Sequence, residues 1–171
     1  MNANVEIKAR VEDPARLLRR ARELSDGPGE TLVQEDTFFR VPRGRLKLRV
    51  FEEGRGELIY YERGDQLDPG LSRYHIHPEP DPRSLARALG QALGVRAVVR
   101  KRRQLFLVGR TRIHVDEVEG LGHFTELEVV LEPGESPGEG VRIAGELMQA
   151  LGIRREALVE GAYVDLLEAR G

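Results

Sequence analysis

The sequence predicts an α+β fold built on a mainly antiparallel sheet of eight strands, a number that can close as a barrel, with helices packed on its apolar face. Three observations carry this. The segments run strand, helix, four strands, helix, three strands, helix. Most strands are joined by short glycine-containing turns, as hairpins are. Within several strands, charged and apolar residues alternate with a period of two, so each strand has one charged and one apolar face. The 171 residues fit one domain, residues 1–171.

The first strand is Asn4 to Arg10, "NVEIKAR". Asn4, Glu6, Lys8 and Arg10 share one side, and Val5, Ile7 and Ala9 the other. Asp13 and Pro14 read as an N-cap and first-turn pair. Pro14 to Leu24 then has Leu17, Leu18, Ala21 and Leu24 at helical spacing, with arginines on the opposite, solvated face. "SDGPGE" is a loop. Leu32 to Val41, Arg45 to Glu52 and Glu57 to Arg63 are strands linked by "PRGR" and "EGRGE", and another strand covers Ser72 to His77. "PEPDPRS" breaks the pattern before a helix over Pro82 to Leu93. Strands follow at Val95 to Leu107, Thr111 to Glu119 and His123 to Glu132. "EPGESPGEG" reads as a loop, Val141 to Leu151 as a helix, and Arg155 to Leu167 as a short helix or two.

Composition narrows the function. A net charge of −2 lacks the basic excess of a nucleic-acid binder, and 5% aromatic residues offer few stacking platforms. No apolar run is long enough to span a bilayer, and the absence of Cys removes thiolate metal sites and disulfides. The expectation is a cytoplasmic protein with no nucleic-acid or membrane partner. Of 27 basic residues only three are lysines: Lys8, Lys47 and Lys101. A codon bias would give the same count, but all three fall on the polar faces of strands. A compact ammonium on a flexible stem serves there where a planar guanidinium does not.

Two arrangements satisfy the alternation. In one, the charged face lies in water and the apolar face packs on helices. In the other, the charged face points inward and lines a closed barrel. The grouping of charge favours the second. Bases concentrate in "RLKLRV" (Arg45, Lys47, Arg49) and at Lys101 and Arg103; acids concentrate at Glu6, Asp116, Glu126 and Glu128. Grouped carboxylates repel unless a cation sits between them. Oxygen ligands suggest Mg²⁺ or Mn²⁺. A triphosphate with its divalent metal answers both groups.

These residues carry a resemblance. The chain resembles the CYTH family, also called triphosphate tunnel metalloenzymes, which includes class IV adenylate cyclases, thiamine triphosphatases and inorganic triphosphatases. The resemblance runs from Val5 to about Leu167. Asn4, Glu6 and Lys8 match the family's E-x-E-x-K strand; Lys47 and Arg49 match its basic third strand; Lys101 and Arg103 match its K-x-R strand. "HVDEVEGLGHFTELEVVL" looks like the class IV cyclase segment, through Asp116, Glu126 and Glu128.

The resemblance implies an eight-stranded antiparallel tunnel with a charged interior. Glu6, Asp116, Glu126 and Glu128 would hold one or two divalent metals. Lys8, Lys47, Arg49, Arg63, Arg73, Lys101 and Arg103 would hold a small-molecule triphosphate, with Lys47 and Lys101 catalytic. A homodimer is implied by the cyclase branch alone. The chain departs from the family at Asn4, where an amide replaces the first Glu, and in "LIYYER", where Arg63 stands nearest to the family's lysine. The implied reaction is cyclisation of ATP to cyclic AMP and pyrophosphate. Hydrolysis of tripolyphosphate or thiamine triphosphate, and triphosphate binding without turnover, are the alternatives. His75 and His77 form an H-x-H pair without an evident third ligand, and His114 shares a face with Asp116.

Overall fold

The computed structural model describes residues 1–63 and 69–171. Eight strands form, β1 (Asn2–Arg10), β2 (Glu30–Phe39), β3 (Arg45–Phe51), β4 (Gly56–Arg63), β5 (Gly70–Glu79), β6 (Val95–Val108), β7 (Thr111–Val118) and β8 (Gly122–Val130). Four helices accompany them, α1 (Pro14–Leu24), α2 (Pro82–Leu93), α3 (Pro137–Leu151) and α4 (Tyr163–Arg170). A 3₁₀ turn at Arg155–Ala157 precedes α4. Among the described residues no helix is long and apolar enough to cross a membrane.

Local chemistry fixes the helix starts. Asp13 accepts the Arg16 N–H at 3.1 Å and Asp81 accepts the Ser84 N–H at 3.2 Å, each followed by Pro at the first helical position. Both helices therefore have the bounds expected from sequence. Helix α3 begins at Pro137, inside the glycine-rich stretch read as a loop. Tertiary packing overrides glycine's poor helix propensity there, because Gly140 lets α3 lie directly on Val5 and Leu131.

The sheet closes. β1 pairs antiparallel with both β5 and β8, and the strand order around the barrel is β1-β5-β4-β3-β2-β6-β7-β8. Closure decides between the two arrangements of the charged face. Asn4, Glu6 and Lys8 point into the barrel, while Val5, Ile7 and Ala9 are fully buried on its outside beneath helices. Ile113, Val115 and Leu127 join them under Leu17 and Ala21 of α1 and Leu147 and Leu151 of α3. Burying each of the larger side chains contributes about 1.5–3 kcal/mol. This outer layer is the main hydrophobic core.

One end of the barrel has a second apolar cluster. Ala162, Tyr163 and Val164 pack against Phe38, Val99, Val118 and Phe124. Arg45 and Arg96 each hold Asp165 at 2.7 Å, and Arg96 also holds Glu168, which fastens α4 in place. Ala162 and Tyr163 thus floor the barrel. The opposite strand ends, at Phe51, Ile76, Leu105 and Leu107, surround the mouth.

A Cβ at Gly140 would meet Val5 Cγ2 at 2.6 Å and Leu131 Cδ2 at 2.9 Å. Gly140→Ala gains about 1 kcal/mol of helix propensity but overpacks the seam by about 1–3 kcal/mol. The expected result is a net loss of stability in urea denaturation; a variant more stable than the parent would show that α3 is not seated this tightly.

Candidate functional site

The barrel encloses a cavity of about 450 Å³. Nine Lys and Arg side chains and six carboxylates line it among the described residues, an excess of positive charge that an anion can neutralise. The two signs are not mixed at random.

The basic wall is built on Asp36. Its carboxylate, 1% exposed, accepts both Arg49 Nε and Arg49 Nη2 at 2.8 Å, and lies 3.0 Å from Lys47 Nζ and 3.0 Å from Lys101 Nζ. Burial alone would raise this carboxyl, but Arg49, Lys101 and Lys47 together hold it well below its ordinary range. One anion thus organises three cations and leaves them a surplus of charge. Burial pushes the Lys101 ammonium down to about 7, and Asp36 offsets only part of that. Burial and Arg49 lower Lys47 as well.

Arg103 extends this wall. It forms a two-pronged pair with Asp116, both bonds at 2.7 Å, and the Tyr163 hydroxyl donates to the same carboxylate at 2.7 Å. Asp116 is fully buried and stands behind Arg103 instead of joining the other acids. In register Asp116 lies across from Arg103 on one side and Phe124 on the other, with Glu126 one step along the same face and sharing Arg103 with it. Asp116, expected as a metal ligand, is engaged here by Arg103 and Tyr163.

The acidic wall lies on β1 and β8, with β7 contributing His114. In register, Glu126 sits between Lys8 and His114, and Glu128 between Glu6 and Arg112. His114 Nδ1 is 3.9 Å from Glu126 and 3.7 Å from Glu128. Ligand atoms of these three residues all lie within 4.8 Å of one another. Glu6 is 3.5 Å from Arg63 and accepts the Asn4 amide N–H at 3.4 Å. Burial and the neighbouring Glu128 push the Glu6 carboxyl up to about 7. Lys8, 3.8 Å from Glu126, donates to the Gly161 carbonyl at 2.8 Å and lies 4.0 Å over the Tyr163 ring. Burial brings Lys8 down to about 8.

Two buried acceptors here have no hydrogen-bond partner among the described residues, Asn4 Oδ1 and His114 Nδ1. With the carboxylates they make a donor set of oxygens and one imidazole nitrogen, which fits a divalent cation. Glu6, Glu126 and Glu128, the carboxylates expected to hold metal, all line the cavity, the last two in one cluster with His114.

Of the expected phosphate contacts, Lys8, Lys47, Arg49, Arg63, Lys101 and Arg103 all line the cavity. Arg73 does not. On β5 the inward residues are Ser72, Tyr74 and Ile76, so Arg73 is exposed outside with His75 and His77. Asp36, Arg112 and Tyr163 are site residues that sequence reasoning passed over. The signal for Asp36 was its parity in "QEDTFF", which puts it opposite Glu35. The signal for Arg112 was its face, shared with His114. Tyr163 gave no signal, since "AYVDLL" shows no alternation.

Comparison with known proteins agrees with this geometry. A relative from Methanocaldococcus jannaschii, MJ0240, named as a candidate adenylate cyclase, is 25% identical over 170 residues, covering 95% of this chain and 97% of that protein. The structure of PH1012 from Pyrococcus horikoshii superposes with a TM-score of 0.85 at 24% identity, covering 95% of this chain and 98% of the other. HpAC1 from Hippeastrum, a candidate adenylyl cyclase described as having a dominant triphosphatase activity, superposes with a TM-score of 0.62 at 17% identity, over 90% of this chain and 89% of that one. The CYTH domain model matches residues 2–163. A match that spans every strand of the barrel and reaches the tyrosine of its floor establishes that the chain belongs to the CYTH family.

Proposed function

We propose that the protein is a divalent-metal-dependent enzyme acting on a nucleoside triphosphate, in the manner of a class IV adenylate cyclase that converts ATP to cyclic AMP and pyrophosphate. The observation that carries this reading is the separation of charge inside one cavity. A wall of Lys47, Arg49, Lys101 and Arg103 stands across from a wall of Glu6, Glu126 and Glu128. Strands β3 and β8 lie four places apart in an eight-stranded ring, so Lys47 and Arg49 oppose Glu126 and Glu128 across the lumen.

The floor at Tyr163 favours entry of the phosphate chain from the mouth. Lys47, Arg49, Lys101 and Arg103 then hold its oxygens through charge-assisted hydrogen bonds. The cluster around Asp36 keeps these donors in place before substrate arrives, so little reorganisation is needed as charge develops. In cyclisation the 3′-oxygen bonds to the α-phosphorus, the bond to pyrophosphate breaks, and the hydroxyl proton passes to water. Lys47 and Lys101 are the catalytic residues of this reading, stabilising charge on the departing pyrophosphate. Glu6, Glu126 and Glu128 would hold Mg²⁺ or Mn²⁺, which when bound neutralises phosphoryl oxygens. Phe51, Ile76, Leu105 and Leu107 at the mouth offer an apolar surface to a base.

A triphosphatase is the second reading, favoured by the activity described for the Hippeastrum relative. Both chemistries use the same cradle. A panel of ATP, thiamine triphosphate and tripolyphosphate with Mg²⁺ and Mn²⁺ separates them. Cyclic AMP and pyrophosphate from ATP is the expected outcome. Orthophosphate from tripolyphosphate with ATP untouched would replace the cyclase by the hydrolase.

Lys101→Ala removes one charge-assisted contact while Arg49 and Lys47 continue to balance Asp36. Triphosphate affinity, measured by calorimetry, should fall by roughly tenfold or more, as expected from about 1.5–3 kcal/mol for a hydrogen bond to a charged group. Unchanged affinity would place the phosphates elsewhere.

Lys101 also gives a pH signature. With its ammonium at about 7, it is largely neutral at pH 8 in the free protein. A bound triphosphate favours the charged form, so binding takes up a proton. Affinity should weaken as pH rises from about 7 towards the ordinary lysine range, by at most about tenfold per pH unit. Calorimetry at pH 8 in buffers of different ionisation enthalpy reads the uptake directly. Lys101→Arg should abolish that part of it.

A further inference from the structure

We propose that His114 Nδ1, Glu126 and Glu128 form a mixed nitrogen–oxygen site that selects a first-row transition ion over Mg²⁺. The inference rests on the metal-dependent reading above and deepens it by assigning an imidazole ligand and the class of ion that follows.

Three observations support the assignment. His114 is 4% exposed, yet its Nδ1 has no hydrogen-bond partner among the described residues. An unpaired buried nitrogen is costly, so its place here calls for a partner that the described residues do not supply. Nδ1 lies 3.7 Å from Glu128 Oε1 and 3.9 Å from Glu126 Oε2, beyond hydrogen-bond reach. Two donors each about 2.1 Å from one ion are separated by roughly 3–4.2 Å, depending on the angle, so these spacings suit a shared cation. The cations nearby leave room. Lys8 and Arg103 are 3.8 and 3.7 Å from Glu126, and Arg112 is 3.8 Å from Glu128, so none of these contacts is a hydrogen bond that occupies the oxygens.

Ion choice follows from the donors. Mg²⁺ keeps its water and prefers an octahedron of oxygens, whereas imidazole suits the transition metals, with affinity rising from Mn²⁺ through Co²⁺. Asn4 points the same way. An amide in the position where the family has a carboxylate lowers the site's negative charge, which weakens a hard ion that depends on charge. The imidazole adds a ligand whose bond does not. The three donors sit on adjacent strands in continuous register, His114 opposite Glu126, so the site is preformed on rigid elements.

The test uses the full chain with Mn²⁺ alone and no triphosphate. Pulsed electron paramagnetic resonance should show coupling of Mn²⁺ to an imidazole nitrogen. His114→Gln should abolish it and weaken Mn²⁺ binding by about tenfold or more, with Mg²⁺ competition little changed. Bound Mn²⁺ without nitrogen coupling, absence of Mn²⁺ binding, or an unchanged preference for Mn²⁺ over Mg²⁺ in the variant would each overturn the proposal. The spectrum of the unmodified protein is decisive even if the variant folds poorly. Turnover of ATP and tripolyphosphate on the same samples keeps the two readings apart. Nitrogen-ligated Mn²⁺ without turnover supports the site while removing the enzyme; turnover with all-oxygen Mn²⁺ removes the site alone.

Discussion

A strand barrel that closes on a charged lumen must compensate every charge it takes out of water. The rest of this structure depends on that constraint. An isolated buried ion costs several kcal/mol even after relaxation. The lumen meets the cost with pairs, and the pairs fall into a few clusters. Asp36 gathers Arg49, Lys47 and Lys101. Asp116 gathers Arg103 and the Tyr163 hydroxyl. Glu126 lies between Lys8, Arg103 and His114. Each cluster joins neighbouring strands, so the compensation and the register support one another.

Compensation is deliberately uneven. Asp36 is outnumbered by its cations, and on the opposite side Glu6 stands beside Glu128 with its carboxyl pushed up to about 7. Here one wall has spare positive charge and the other has spare donor atoms. The outer face supplies the stability that this arrangement gives up. Val5, Ile7 and Leu127 are each fully buried under helices, on the same strands whose alternate residues face the lumen. The period of two thus divides each strand between folding and chemistry.

That division explains what could be read from the sequence. In β1, β3 and β8 the apolar residues mark the outside, so the inward face of Glu6, Lys8, Lys47, Arg49, Glu126 and Glu128 was legible. Strand β5 defeats the rule. Its outer face carries Arg73, His75 and His77 in solvent, while Ser72, Tyr74 and Ile76 face in. With polar residues on both sides, alternation gives no direction, and Arg73, expected as a phosphate contact, stands on the outer face. Parity also says nothing about neighbours across the ring. Asp116 shares a face with His114, but pairing with β6 sets it behind Arg103, while His114 falls beside Glu126. Those partners depend on register between strands, which no single strand encodes. Tyr163 lay further still from view, because its role comes from a helix end packed into the barrel.

Tyr163 shows how far the clusters are linked. Its ring lies 4.0 Å beneath Lys8 and 5.6 Å from Lys101, while its hydroxyl reaches Asp116. One side chain therefore touches a lysine of the acidic wall, a lysine of the basic wall and the carboxylate that supports Arg103. The π-face favours both ammonium groups, and the hydroxyl satisfies a buried carboxylate that would otherwise carry more unshared charge. Seating α4 is consequently more than closing one end of a tube. The helix is fastened from outside by Arg45 and Arg96, and through its first residue it sets the electrostatics of the floor. Without Tyr163 the two walls would lose the group that joins them.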